Sequence, residues 1–592
     1  ASRRQKIRRS QRVSISVPAS RRSALVGAYV AFSHLLISIL WLSLVSLALL
    51  TGCRQQNKLR LVLTSACAGV TALAATIAFA VIAATFFAAP LWGLEYEDAY
   101  EYEYAARFLA YGDSPDGPSL NPLCVDGALA DCASVASLPH PLGVSSLAAW
   151  VVPLTEALDV QSVPISSIVM FAVVGVLVFT LAHLSGGRNI ATALALALFV
   201  GAWRVSAHFG TGFAEPFAAA LLLLAVVAAY WLTRTAGSAR ADSLLVGGVL
   251  AVSVALAVLC KREMLAPALT LGVCVLAERS KRSNGMGSRA ADSRWTAGTI
   301  ALGTLLGALV GGATPLALEA ASPVERWPFS LANVIRHGPA YLTWLLSSQA
   351  LVVGLLLAGV AAAFPRSRTL AAWSLALTGS LMLLFVAFDH DYGTVVEGRT
   401  PIHHFDRYSL QFLPVLAVAG GLGGEALLEK LMNRRERHLV WATPFAGLLL
   451  LIVASASGWN IHTERMREHR EERFVRLDPA RTACEHLDPS ATVLTYEPVV
   501  LGIVCAPARR LIDVTALGTP GLELDDIRRR SRHDALYLLE PARGRGMLAE
   551  RYPEAAGVLE QLSLAHADGV PPGLRGQTLL RVQPPRAQTA ND

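Results

Sequence analysis

The stretch EYEDAYEYEYAARFL, residues 95–109, follows directly on a long apolar run and decides how the rest of the chain is organised. It carries five carboxylates and four tyrosines before its first basic residue, Arg107. So many carboxylates directly after a predicted membrane-spanning run must either be solvated or bind a cation. The stretch therefore predicts either a solvated loop or a functional site at the membrane surface.

Helical spacing divides this stretch into faces. Glu97, Glu101 and Tyr104 fall along one face of the predicted helix, and Tyr100 lies on the other face with Glu103 and Arg107. The Glu97-Asp98 pair stands at the helix start, where carboxylates meet unpaired backbone donors and the positive end of the dipole. Such a pair can take a proton from a hydroxyl or hold a divalent cation against a phosphate, and an interfacial helix cap is the simpler alternative.

The composition places the chain in a membrane. Of its 592 residues 53% are hydrophobic and 16% charged, and the mean hydropathy is +0.46. The formal charge of +7 gives no reason to expect nucleic acid as a partner, because Lys and Arg gather in short segments between apolar runs. We predict a polytopic α-helical protein with about 11–12 transmembrane helices and the lipid bilayer as its environment.

The predicted spans follow from the apolar runs. In chain order they are Ser23–Leu50, Leu61–Leu91, Val163–His183, Ile190–Ala207, Phe213–Leu232, Leu244–Cys260, Leu265–Leu276, Ala297–Leu318, Tyr341–Phe364, Leu370–Phe388, Tyr408–Leu428 and Val440–Gly458.

Basic residues in alternate loops predict the orientation of these spans. Loops rich in Lys and Arg are predicted to be cytoplasmic. The loops predicted to face outward are the acidic stretch, residues 319–339, residues 389–407 and everything after Trp459. The basic tail, residues 1–22, conflicts with this scheme, because its eight Lys and Arg argue for the cytoplasmic side. Either the first run does not cross fully, or the count is off by one near the start, or the tail is an exception.

Two cysteine pairs lie in polar segments. We predict one disulfide between Cys124 and Cys132 and another between Cys484 and Cys505, which require an oxidising compartment. Both segments fall on the predicted outer side.

The chain changes character after about residue 460. Residues 491–496, 510–515 and 535–540 are typical of short strands, with helical pieces at 522–532 and 546–551 between them. We therefore predict three parts: a basic tail (1–22), a membrane domain (23–460) with an external loop at 94–140, and a soluble α/β domain (461–592).

Several motifs together resemble the GT-C glycosyltransferases, integral membrane enzymes that take a sugar from a polyprenyl phosphate carrier. The acidic motif of that family resembles Glu97-Asp98-Ala-Tyr100 followed by Ala105-Ala106-Arg107. Further motifs follow in the same order along the chain: Leu138-Pro-His140-Pro141, Ala214-Glu215-Pro216, Cys260-Lys261-Arg262-Glu263, and Phe405-Asp406-Arg407-Tyr408 with Leu413-Pro414.

The terminal domain adds to this resemblance. Tyr496 and the segment Arg509 to Gly518 resemble a strand pattern in the external domains of some bacterial members, including arabinofuranosyltransferase-like ones. The resemblance implies a bacterial plasma-membrane enzyme with its active site and C-terminal domain outside the cytoplasm. It would move a sugar from a polyprenyl phosphate to a hydroxyl of a glycan or glycolipid acceptor, with inversion.

The same resemblance implies roles for particular residues. The family commonly has Asp first in its acidic pair, so either Glu97 or Asp98 is the base, and the same pair would hold a divalent cation if one is needed. The residues expected to bind substrate are Tyr100, Glu101, His140, Glu215, Lys261, Arg262, His403, His404, Arg407 and Tyr408.

Several of these residues also have a simpler interpretation that involves no substrate. Lys261 and Arg262 can snorkel to an interface rather than bind phosphate. His403 and His404 with Arg407 can form an ordinary membrane-surface cluster. Glu215 can cap a helix, and His140 can be structural.

Two other functions suit the same sequence. A transporter would also have many helices and buried ionisable residues. A non-catalytic partner of cell-envelope polymer assembly or export is the second alternative. The large external domain and the acids concentrated in one loop favour the transferase.

Overall fold

The structure is a computed structural model. It describes the following residues: 19–54, 97–111, 141–158, 161–187, 189–202, 207–210, 212–234, 240–282, 287–318, 330–347, 349–388, 407–431, 477–487, 491–496, 498–504, 510–514, 517–518, 523–533, 535–541, 544–567 and 577–584.

Helices make up the described part of the chain before residue 432. In order they are α1 (Ala19–Arg54), α2 (Glu97–Tyr111), α3 (Gly143–Ala148), α4 (Val152–Ala157), α5 (Ser162–Leu184), α6 (Asn189–Gly201), α7 (Glu215–Arg234), α8 (Arg240–Cys260), α9 (Leu265–Arg282), α10 (Gly287–Leu318), α11 (Leu331–Ser347), α12 (Gln349–Ala363), α13 (Arg368–Phe388) and α14 (Leu413–Leu431).

Within the described ranges, four helices are long and apolar enough to cross a membrane. They are Ser162–Leu184, Glu215–Arg234, Asp242–Cys260 and Arg368–Ala387. Each coincides with a predicted span. The predicted spans Leu61–Leu91 and Val440–Gly458 lie outside the described residues, so the total of about 11–12 stays a prediction.

Several helices begin before the predicted spans. α1 begins at Ala19, inside the predicted basic tail, and α10 begins at Gly287 instead of Ala297. α11 begins at Leu331 and ends at Ser347, so the predicted span Tyr341–Phe364 is divided between α11 and α12. The span predicted from Tyr408 starts with a short helical piece at residues 407–409, and turns at residues 410–412 lead from it into α14. Pro414 stands in the first turn of α14, where a missing backbone N–H costs nothing.

Small residues let the helices of the bundle approach closely. A side chain on Gly423 of α14 would overlap the backbone of Leu357 in α12, and one on Gly421 would overlap the backbone of Ala191 in α6. Contacts of this kind are typical of helices packed in a bilayer, where shape rather than hydrophobicity drives association.

The C-terminal part forms a five-stranded sheet in the order β2-β1-β3-β5-β4. β1 pairs in parallel with β2 and β3, and β5 pairs antiparallel with β3 and β4. The elements in chain order are α15 (Asp478–His486), β1 (Thr492–Thr495), α16 (Pro498–Val504), β2 (Arg510–Asp513), α17 (Leu524–His533), β3 (Leu536–Pro541), α18 (Gly544–Arg551), α19 (Pro553–Glu560), β4 (Leu564–His566) and β5 (Gln577–Val582).

The three predicted strands and the two predicted helical pieces of this part are confirmed as β1, β2, β3, α17 and α18. The predicted boundary at residue 460 lies outside the described residues, and the division into domains stays a prediction.

Candidate functional site

A buried cluster of three charges joins elements that are far apart in sequence. The Lys261 Nζ lies 2.5 Å from Glu215 Oε1, and the Arg407 Nε lies 3.2 Å from the same oxygen. Glu215 and Lys261 are buried, and the Arg407 side chain is 11% exposed. One carboxylate oxygen therefore faces two cations inside the protein.

Helix ends place these side chains together. Glu215 is the first residue of α7, where the positive end of the helix dipole favours a carboxylate. Lys261 follows the last residue of α8 in extended conformation and precedes a single 3₁₀ turn, Arg262–Met264. Arg407 opens the turns that lead into α14. The cluster thus lies at one end of the bundle.

Aromatic rings surround the two cations. The Lys261 Nζ lies 4.4 Å from the ring centroid of Tyr408, and the Arg407 Cζ lies 4.4 Å from that of Phe213. Tyr408 stacks on Phe385 with centroids 4.5 Å apart, and its hydroxyl accepts a hydrogen bond of 3.2 Å from Arg407 Nη2. Cations held against aromatic faces keep their charge while losing contact with water.

Gly143, which follows the predicted His-Pro motif, packs against the end of α8 beside the charge cluster. A side chain at this position would lie 2.6 Å from the backbone of Leu259 and 2.7 Å from Cys260, next to Lys261. The Trp41 indole donates a hydrogen bond of 3.2 Å to the Gly143 carbonyl. Residues 141–143 therefore sit against the end of α8, and only glycine allows that approach. His140 itself lies outside the described residues.

The acidic stretch forms α2, as predicted, with Glu97 and Asp98 in its first turn. The side chains of these two residues lie outside the described part of the structure, so their roles stay predictions. Tyr100 is buried at 1% exposure, and Glu101 is half-buried. This helix is packed inside the protein and is not a solvated loop.

Glu103 has a role that sequence reasoning missed. Its buried carboxylate accepts hydrogen bonds from the Ser162 amide at 3.1 Å, the Ser162 hydroxyl at 2.9 Å and the Val163 amide at 2.8 Å. It caps the first turn of α5 from another helix. The sequence offers no local signal for this, because a cap is normally supplied by the residue just before the helix.

Arg107 extends this contact to the C-terminal part. Its Nε lies 3.2 Å from Glu103 and its Nη1 lies 3.2 Å from Glu156. The same Nη1 donates a hydrogen bond of 3.0 Å to the carbonyl of Ile503 in α16. α16 lies between β1 and β2 of the C-terminal sheet. Arg107 therefore connects the helical part of the described chain, through Glu103 and Glu156, to the C-terminal part.

Other predicted site residues are placed less fully. Arg262 is exposed in its 3₁₀ turn, outside the three-charge cluster of Glu215, Lys261 and Arg407. Cys484 is disulfide-bonded, but Cys124, Cys132 and Cys505 lie outside the described residues, so both predicted pairings stay predictions. His403 and His404 lie outside them as well. In the part of the chain that the structure describes, no group of three or more His, Cys, Asp or Glu is arranged to hold a metal.

The fold has counterparts among solved structures. ArnT from Cupriavidus metallidurans bound to undecaprenyl phosphate matches with a TM-score of 0.54 at 12% identity, over 87% of this chain and 98% of that one. Its apo form matches with a TM-score of 0.53 at 12% identity, over 86% and 97%. Both are GT-C structures. The chain has the GT-C fold.

The GT-C fold confirms the predicted fold class, an α-helical membrane protein with a small C-terminal sheet. An oligosaccharyltransferase from Archaeoglobus fulgidus matches more weakly, with a TM-score of 0.46 at 11% identity over 85% of this chain and 73% of that one. The arabinofuranosyltransferase-like subtype is not confirmed. No family model matches the sequence, and no curated protein matches it either.

Proposed function

We propose that this GT-C protein is a membrane glycosyltransferase that moves a sugar from a polyprenyl phosphate carrier to a hydroxyl of a glycan or glycolipid. One observation carries the proposal: Lys261 and Arg407, from different elements, meet at a single carboxylate of Glu215 at one end of the bundle. Two cations around one buried carboxylate suit a second anion, and the carrier phosphate is that anion.

The chemistry of the two cations suits this role. A guanidinium offers several N–H donors in a planar fork that matches phosphate, and an ammonium adds a compact charge. The aromatic rings of Phe213 and Tyr408 limit access of water to both cations, and in such a site electrostatic interactions are stronger than in water. Glu215 holds the two side chains in place before the carrier binds.

The position of α2 supports a base in its first turn. Glu103 fixes α2 on the start of α5. The start of α5 lies near the cluster, because the Ser167 hydroxyl donates a hydrogen bond to the carbonyl of Phe209 in the 3₁₀ turn just before α7. Glu97 and Asp98 thus stand on a helix anchored at the same end of the bundle as Glu215.

The proposed reaction is a single displacement. Glu97 or Asp98 takes the proton of the acceptor hydroxyl as its oxygen attacks the anomeric carbon. The bond between that carbon and the phosphate oxygen breaks, and the carrier phosphate leaves with its charge held by Lys261 and Arg407. Attack opposite the leaving group inverts the anomeric carbon. If a divalent cation takes part, Glu97 and Asp98 would hold it.

The remaining placements also belong to the proposal. The active site and the C-terminal sheet would face the extracytoplasmic side of a bacterial plasma membrane, and Tyr100, Glu101, His140, Arg262, His403 and His404 would border the substrates. The large C-terminal part and the carboxylates concentrated in α2 favour a transferase over a transporter.

Transfer assays in lipid nanodiscs test the proposed base. With undecaprenyl phosphate sugars as donors and envelope glycolipid extracts as acceptors, Glu97→Gln or Asp98→Asn should reduce turnover about 100-fold or more, in line with the usual contribution of a general base. The other single variant should lose less. Undiminished transfer by both single variants and by the double variant would contradict the assignment.

A further inference from the structure

α11 presents an exposed apolar stripe on one side. Its members are between 52% and 83% exposed, and they are Leu331, Ile335, Leu342 and Leu346. Their spacing places them along a single side of the helix. Another side, which carries Tyr341 and Leu345, is buried. α11 is therefore packed on the protein along one side and open along the apolar stripe.

The two helices that follow α11 define a common direction. α12 and α13 pack against each other, and a tight turn joins them, in which the Arg368 amide donates a hydrogen bond of 2.9 Å to the Phe364 carbonyl. At about 1.5 Å per residue, α12 extends about 21 Å from this turn to Gln349, and α13 extends about 28 Å to Ala387. Gln349 and Ala387 thus differ in height above the turn by only about 7 Å.

Both ends of α11 lie close to this level. At its start, the Ser330 amide and the Asn333 side-chain amide donate hydrogen bonds of 3.1 and 3.0 Å to the Ala387 carbonyl. At its end, Ser347 is separated from Gln349 by a single residue. α11 is about 24 Å long, which is far more than the difference in height between its two ends. It therefore lies across the direction of α13 and not along it.

This orientation places α11 at the membrane surface. α13 is one of the described helices that are long and apolar enough to cross a membrane, so a helix lying across its end runs in the membrane plane. Such a helix meets acyl chains along one side and headgroups along the next. α11 has this division, because Arg336 and Thr343 are exposed beside the apolar stripe.

The exposed apolar surface continues onto the neighbouring helices. Val353 and Leu356 of α12 and Leu383 of α13 are also exposed. Leu383 lies one turn before Ala387 in a membrane-crossing helix, where an exposed leucine faces lipid. The stripe on α11 belongs to the same surface, and contiguous apolar surface of this kind is typical of contact with a membrane or a partner. Its continuity with α13 selects the membrane.

We infer that α11 is an interfacial helix that lies in the plane of the bilayer, with its apolar stripe inserted at the boundary between headgroups and acyl chains. The partner of this surface is the lipid bilayer, and the inference does not depend on the proposed reaction. α11 holds the end of α13, where Phe385 stacks on Tyr408. The three-charge cluster therefore lies on the same side of the membrane as α11.

Fluorescent labels at single sites in lipid nanodiscs test this placement. The label is attached through an azide-bearing amino acid introduced at Ile335 or at Leu342, so that the cysteines of the chain stay untouched. Lipids that carry a nitroxide at the headgroup or near the end of the acyl chain quench the label, and the ratio of the two effects gives its depth. Both labels should be quenched more strongly from the headgroup, at depths within about 5 Å of each other.

Val169 and Val176 of α5 are the matched controls. They have the same seven-residue spacing and are also exposed, and α5 is long and apolar enough to cross the membrane. Their labels should therefore differ in depth by about 10 Å.

Two results would overturn the inference. A difference of about 10 Å between the labels at Ile335 and Leu342 would mean that α11 crosses the bilayer as α5 does. Labels that neither lipid quenches would mean that water or another protein covers the stripe. If a label in this pair lowers Tm, Leu331 and Leu346 provide a second pair, which a crossing helix would separate in depth by about 22 Å.

Discussion

Lys261 Nζ and Glu215 Oε1 lie 2.5 Å apart although 46 positions separate the two residues in sequence. The pair exists because α7 begins and α8 ends at the same end of the bundle, and Arg407 reaches the same oxygen from the turns before α14. The cluster therefore depends on all three elements being in place, and it reports on both the fold and the proposed carrier site.

Replacing Glu215 should destabilise the protein more than replacing either cation. Glu215→Gln leaves two buried cations without their shared carboxylate, and removing one partner of a buried pair commonly costs about 3–5 kcal/mol. Lys261→Met leaves Glu215 paired with Arg407 and should cost less. Thermal unfolding in nanodiscs compares the variants, and equal Tm values for Glu215→Gln and Lys261→Met would contradict this account.

The capping contact of Glu103 predicts a loss of stability together with a loss of turnover. Glu103→Ala removes the acceptor of three hydrogen bonds from Ser162 and Val163, and each abandoned donor costs about 1–3 kcal/mol where water cannot replace it. Because α2 carries the proposed base, the turnover number should fall while KM for the carrier changes little.

Glu156→Gln is the matched control for Glu103, since Glu156 also pairs with Arg107 but its side chain is 34% exposed. It should retain most of the stability and turnover. A Glu103→Ala variant with wild-type Tm would show that the cap does not hold α2 on α5.

Arg107 should control how firmly the C-terminal part is held. Arg107→Ala removes the hydrogen bond to the Ile503 carbonyl, so amide hydrogen exchange in α16 should become faster while exchange in β1 and β3 stays slow. Arg528→Ala is the control, because Arg528 pairs with the exposed Asp525 at 3.9 Å and donates a hydrogen bond of 3.4 Å to the Gln561 carbonyl, and neither contact involves α16. Unchanged exchange in α16 of Arg107→Ala would remove this residue from the interface.

Close packing at Gly502 gives a further test of the same interface. An alanine methyl there would come within 2.6 Å of the Tyr104 ring, and overpacking of this kind typically costs about 1–3 kcal/mol. Gly557→Ala is the control, because nothing lies within 4 Å of the added methyl in α19. That helix should gain about 0.5–1 kcal/mol from the change. Equal Tm shifts in the two variants would contradict the packing described here.

Hydrophobic runs predicted most spans of the described bundle, and the family resemblance named four residues that meet in space: Glu215, Lys261, Arg407 and Tyr408. This worked because ionisable groups beside apolar runs are costly and are kept at sites where they have partners. The early start of α11 was missed because its first turns carry an exposed apolar face rather than a continuous apolar run.

The long-range partners of Glu103 and Arg107 could not be predicted from the sequence for a different reason. Periodicity put Glu103 and Arg107 on one helix face, but nothing local shows that the face meets the start of α5 and the carbonyl of Ile503. Likewise, Gln577 lines the same small cavity as Tyr496 only because β5 pairs with β3. Both contacts depend on topology, which a pattern along the chain does not contain.

The affinity of the purified protein in nanodiscs for undecaprenyl phosphate, compared with undecaprenol, tests the central claim most directly. The two lipids differ only in the phosphate that Lys261 and Arg407 are proposed to bind. Lys261→Met and Arg407→Met should each weaken binding of the phosphate about tenfold, or about 1.4 kcal/mol, and leave undecaprenol binding unchanged. If both single variants and the double variant bind undecaprenyl phosphate as the wild type does, the cluster is not the carrier site.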